Sequence, residues 1–201
     1  MSLKIKIMKK VYFKTVIILG LVVNIISCKA QQLPLNTLME NIPQNAYVKD
    51  LSNELASYIG TYKTEYQGNE ITLFITKEEN KPTKRMNKNF YRDALVIKYI
   101  IKNSTGTILQ NTQDMNFTSD QKFHTIYSTR TRPTLNTVIF NYRGTNCGIG
   151  WGDIFLKKIS DTQISWEYRP DDMVFLKGDC PQGIDRTIYL PETKDLIFTK
   201  Q

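Results

Sequence analysis

A single histidine, three cysteines and a few aspartates are the residues of this 201-residue chain that could carry catalysis, and their spacing is poor for it. His124 stands alone, so a zinc site built on two or three histidines is excluded, and any Ser-His or Cys-His mechanism must use that one imidazole. It lies in Phe123-His124-Thr125-Ile126, which reads as a strand, where an inert histidine is expected. Asp171-Asp172 follow Arg169-Pro170, while Asp179 and Asp185 stand around Cys180. An acid/base pair needs two carboxylates roughly 5 to 10 Å apart around a substrate, and adjacent aspartates on a Pro-containing turn are expected to be solvated instead. No phosphate-binding loop, dinucleotide fingerprint, nucleophile elbow or calcium loop occurs. These residues point away from an enzyme, and no cofactor or metal is expected.

The cysteines carry a different chemistry. Lys4, Lys6, Lys9, Lys10 and Lys14 precede an apolar run from Thr15 to Ile26 that is broken only by Gly20 and Asn24, the layout of a signal peptide. The run is short of the roughly 20 residues of a permanent membrane helix, and it ends in Ile25-Ile26-Ser27-Cys28, which resembles the bacterial lipobox. That resemblance implies thioether lipidation of Cys28, removal of residues 1–27 and attachment to the cell envelope through two or three acyl chains, each buried CH₂ contributing about 0.8 kcal/mol. Lys29 in place of Asp after the cysteine favours the outer membrane by the sorting rule of enteric lipoproteins. With the five leader lysines gone, 27 basic residues fall to 22 against 19 acidic ones, about +3, so the basic balance is no argument for nucleic acid, and none is expected as a partner. The cluster Lys77, Lys81, Lys84, Arg85, Lys88 and Arg92 remains. It reads as a solvated loop, with contact to anionic headgroups as the alternative.

Cys147 and Cys180 flank a predicted hairpin from Trp151 to Arg169, which starts and finishes at one end of the domain. In an oxidising compartment they are expected to form a disulfide that closes a loop of about 34 residues and contributes roughly 3 to 4 kcal/mol. A reactive or metal-binding pair is the alternative, but there is no Cys-x-x-Cys motif to support it. The run Gly144-Thr145-Asn146-Cys147-Gly148-Ile149-Gly150-Trp151-Gly152 reads as a wide turn or as the rim of a binding site. In the second reading Trp151, Gly148 and Gly150, with Trp166 and Tyr168, line the rim.

Hydrophobic periodicity indicates what positions these residues. Residues 28–46, with Pro34 and Pro43, read as the lipidated cysteine and a flexible tether, and 47–201 as one domain. Leu51, Leu55 and Tyr58 recur at helical spacing, predicting one short helix over Val48 to Tyr58. Beyond it the period becomes two: Ile71, Leu73 and Ile75 share a face, as do Leu95, Ile97, Tyr99 and Ile101, then Val138, Phe140 and Tyr142, then Ile164, Trp166 and Tyr168. Turn signals fall at 67–69, 103–106, 160–162 and 191–194, and 77–89 reads as a longer polar loop. The sum is a mainly β domain of about nine or ten antiparallel strands, either an up-and-down barrel or a two-sheet sandwich.

Leu55-Ala56-Ser57-Tyr58-Ile59-Gly60-Thr61-Tyr62 resembles the opening of calycin or lipocalin-like barrels, with Tyr62 where Gly-x-Trp is usual. Together with the lipobox and the ending Leu196-Ile197-Phe198-Thr199-Lys200, residues 50–200 resemble small lipocalin-like lipoproteins of unknown function from flavobacteria and relatives. The resemblance implies a fold and no activity. Two functions follow as expectations: a non-catalytic module for a small hydrophobic or amphipathic ligand, or an interaction lipoprotein with a filled core that docks another envelope protein. An interior void would favour the first, and a filled core with an exposed apolar patch the second.

Overall fold

The computed structural model describes residues 31–117, 121, 123–171 and 180–201. The predicted leader and Cys28 lie outside them, as do Asp172 and Asp179. Gln32–Gln201 forms one compact unit.

Eleven strands are described: β1 (Gln32–Pro34), β2 (Tyr47–Lys49), β3 (Gly60–Tyr66), β4 (Asn69–Arg85), β5 (Lys88–Lys102), β6 (Ile108–Asn111), β7 (Ile126–Arg132), β8 (Thr137–Tyr142), β9 (Gly152–Lys158), β10 (Gln163–Pro170) and β11 (Leu196–Lys200). Eight of them close a ring in the order β3-β4-β5-β7-β8-β9-β10-β11, with β11 returning to β3 through Thr199 opposite Lys63. Every pairing in the ring is antiparallel and follows chain order, so the choice between barrel and sandwich resolves to an up-and-down barrel. β1, β2 and β6 are additions. The free edge of β5 is divided among β2 at Tyr91 and Arg92, β7 at Val96 and Ile97, and β6 from Ile100 onward.

The four alternating faces read from the sequence all point inward. Leu73, Leu95, Ile97, Tyr99, Phe140, Tyr142, Ile154, Leu156, Trp166 and Phe198 are fully buried. Aromatic rings fill much of the interior: Tyr142 meets Tyr168 edge-on at 5.8 Å between centroids, and Trp166 lies 5.8 Å from Phe198. Each such buried side chain contributes on the order of 1.5–3 kcal/mol. Cys147 and Cys180 are bridged, with Cα atoms 5.8 Å apart, as the hairpin argument required.

Three expectations are corrected. No α-helix occurs among the described residues, and Val48 to Tyr58 holds only the end of β2, a turn and a 3-10 turn at Ala56–Tyr58. Asp50 accepts hydrogen bonds from the backbone N–H groups of Glu54 and Leu55, a local alternative to helical bonding, and Leu51, the first residue of the supposed apolar face, is 56% exposed. The polar loop at 77–89 is instead a two-stranded arm. β4 runs on to Arg85 and β5 begins at Lys88, joined by Met86 and Asn87 with φ of 48° and 59°, as a type I′ hairpin turn requires. Residues 32–46, expected within the flexible tether, pack against the barrel. Leu35, Ile42 and Ala46 are core residues, and the Lys88 ammonium donates to the carbonyls of Met39, Glu40 and Ile42.

Candidate functional site

The rim expected at the glycine-rich run is dispersed. Trp166 and Tyr168 belong to the barrel interior, with the indole N–H donating to Pro191 O at 3.0 Å and the Tyr168 hydroxyl donating to Gly150 O. Alternation already implied this, because both share the inward face with Ile164. Gly148 and Gly150 lie in the loop over that end of the barrel, and of the five only Trp151 faces solvent. The glycines there serve packing. A Cβ on Gly144, at φ +79°, would stand 2.3 Å from the backbone of Gly148, and one on Gly150 would stand 2.7 Å from the Tyr168 hydroxyl.

His124 precedes β7 in a bend at φ 62° and is not within a strand. Gln110 Nε2 lies 3.2 Å from its Nδ1, and Asn146 Oδ1 lies 3.3 Å from its Nε2. Burial, partly opposed by the Asn146 bond, holds its pKa below the ordinary value. Engaged at both nitrogens, this imidazole ties Gln110 of β6 to the turn that carries Asn146. Asp185 is likewise occupied, accepting from the Thr187 N–H and the Tyr189 hydroxyl, which lower its pKa.

The concave surface lies elsewhere, on the outside of the barrel. β5 and β7 pair at Val96–Tyr127 and then part. Ser128 Oγ takes the Leu95 N–H at 2.8 Å where the ladder ends, and a bulge between Ser128 and Arg130 turns β7 away. An open groove of about 1180 Å³ lies between the β4–β5 arm, residues 37–45 and the outer faces of β7, β8 and β9. Phe90, Phe117, Tyr127, Ile139 and Phe155 supply its apolar surface. Phe117 and Tyr127 meet edge-to-face at 6.0 Å, and Lys81 Nζ sits 3.9 Å over the Tyr127 ring.

Its polar lining is unbalanced. Among the described residues seven lysines and arginines line the groove against four carboxylates, and two of the four are engaged, Glu78 by Lys81 at 2.8 Å and Glu79 by Lys77 at 3.4 Å. Among the described residues Arg85, Arg92, Arg130, Arg132 and Arg143 have no ion-pair partner. A concave wall with an excess of positive charge raises the local potential and draws anions. The arrangement can hold an anion beside an apolar group. Lys81, Lys84, Arg85 and Arg92 were legible in the sequence as a cluster, whereas Arg130, Arg132 and Arg143 were missed. The spacing Arg130-x-Arg132 on one strand face was the available signal.

Among known proteins, a family of unknown function (DUF6705) has a model that matches residues 8–201. No curated protein and no solved structure matches the chain.

Proposed function

We propose, for a chain that belongs to the DUF6705 family, a non-catalytic binding role in which an anionic amphiphile is held in the outer groove while the barrel interior serves as core. One observation carries this: a groove of about 1180 Å³ joins an apolar floor to an excess of arginines that have no ion-pair partner among the described residues, next to an interior filled by buried side chains. Pockets of roughly 300–1,000 Å³ hold small molecules, and this open groove is of that order. The lipobox supports placing the module at the cell envelope, anchored through Cys28 and more consistent with the outer than the inner membrane. Replacing Cys28 by alanine is expected to release the chain from the membrane fraction, and continued full membrane retention with unchanged processing would refute the anchor.

Native mass spectrometry with organic extraction of the purified full chain tests the groove. An acidic amphiphile is expected to co-purify and to be lost from the Arg130→Glu/Arg132→Glu variant, whose side chains lie on the outer face of β7. Equal amounts on both proteins would place the ligand elsewhere. The filled interior is the observation that favours the second reading, a module that docks an envelope protein. Absence of any bound small molecule from the wild-type chain would support that reading instead.

A further inference from the structure

Arg92 is the least ordinary residue of the groove. It lies on β5 directly opposite Lys81 of β4 and is 6% exposed, yet it lines the groove. One terminal nitrogen donates to Leu35 O at 3.3 Å, and Nε, also buried, has no hydrogen-bond partner. No carboxylate pairs with it among the described residues. Burial, with Arg85 as a second cation nearby, brings its pKa down to about 10, so the guanidinium is still charged at neutral pH. A buried cation without a counter-ion is costly, and so is a buried donor left unpaired. The fold accepts that cost at the back of a groove whose other cations include Arg85, Arg130, Arg132 and Arg143. A guanidinium with free donors in a fixed fork matches the oxygens of a phosphate or carboxylate.

We infer that Arg92 is the anion subsite of the groove and takes the phosphate or carboxylate headgroup of an amphiphile whose apolar part lies against Phe117, Tyr127, Ile139 and Phe155. This rests on the groove being the binding site. Lys81 does not take this role, because Glu78 and the Tyr127 ring already hold its ammonium. Arg85, which is exposed near the tip of the arm, adds to the potential at the subsite.

The test is isothermal titration of the full chain, reconstituted in zwitterionic nanodiscs and referenced to empty nanodiscs, with hexyl phosphate, hexanol and inorganic phosphate. Hexyl phosphate is expected to bind at one site per chain and to weaken about tenfold or more in Arg92→Gln, the loss of one charge-assisted contact. Hexanol binding should not change between the two proteins, and circular dichroism should show the same barrel. If Arg92→Gln does not fold, Arg92→Lys, which keeps the charge and loses the fork, and Arg85→Gln, which reduces the potential, carry the test. Each is expected to weaken hexyl phosphate by roughly threefold. Unchanged hexyl phosphate affinity in these variants would overturn the subsite and leave the groove reading standing. Failure of both hexyl phosphate and hexanol to bind the wild-type chain would overturn the groove reading, and the subsite with it. Inorganic phosphate binding as tightly as hexyl phosphate would assign the subsite to a free anion and overturn the headgroup.

Discussion

Replacing Trp166 by alanine is expected to destabilise the folded chain by about 3–5 kcal/mol, a large share of the roughly 5–15 kcal/mol by which a domain is usually stable. Trp166 is 0% exposed and packs on Tyr168 and Phe198 at centroid distances of 6.5 and 5.8 Å. Its removal leaves a cavity and deprives Pro191 O of the indole donor. The tryptophan comes from a segment in which Ile164, Trp166 and Tyr168 alternate inward with Ser165, Glu167 and Arg169, so no neighbouring residue of β10 can turn in to fill the space. The effect is read as a lower urea midpoint at unchanged slope. It also separates two accounts of the barrel. If the interior were a ligand cavity, the same substitution would cost little stability and change ligand binding instead, so a loss below about 1 kcal/mol would contradict a packed core.

Asp93 is the second large effect. It is 1% exposed and accepts three hydrogen bonds, from the Tyr47 hydroxyl at 2.5 Å and from the backbone N–H groups of Asp50 and Asn80, both at 3.0 Å. One carboxylate thus joins β2, the start of the loop after it, and the bulge of β4. Asp50 extends the network to Glu54, Leu55 and the Lys77 ammonium at 3.2 Å. Asp93→Ala leaves three donors without acceptors and is expected to cost roughly 3–5 kcal/mol. Burial alone would raise the Asp93 pKa, but the bonds from Tyr47, Asp50 and Asn80, with Lys77, outweigh it and hold the carboxyl below its ordinary value. The Tyr47 phenol is pushed up to about 12 by burial and by Asp93, so it remains a donor at neutral pH. A folded-state pKa below the unfolded value of about 3.9 means that this stabilisation is present above that value and is lost as pH falls through the folded one. Urea midpoints measured from pH 7 down to pH 3 are therefore expected to fall less steeply for Asp93→Asn than for the wild-type chain. Parallel curves would remove Asp93 from the acid response.

The parts legible in the sequence are those where one side of a strand is apolar. Leu95, Ile97, Tyr99 and Ile101 face inward because each alternates with a residue the core does not need, and the same rule oriented β8 and β10. The Cys147–Cys180 bridge was readable because a hairpin brings its two ends together. The arm was not. Between Lys77 and Asn89 charged and polar side chains occupy both faces, so period two carries no hydrophobic signal, and only backbone pairing with β5 shows a strand. The supposed helix failed for a related reason: Leu51, Leu55 and Tyr58 have helical spacing, but the side chain of Asp50 takes the amides a helix would use. The groove combines the arm, residues 37–45 and three later strands. Its positive wall came partly from a cluster visible in the sequence and partly from Arg130, Arg132 and Arg143, which reach it only because β7 closes the barrel beside β5.

The groove holds its ligand on the outside of the barrel in this reading. A crystal structure of the chain soaked with hexyl phosphate shows where the molecule sits. The phosphate is expected beside Arg92 and the alkyl chain on Tyr127, Ile139 and Phe155, between the arm and the outer faces of β7 to β9. Density for the molecule inside the barrel, among Tyr99, Tyr142 and Trp166, would contradict it.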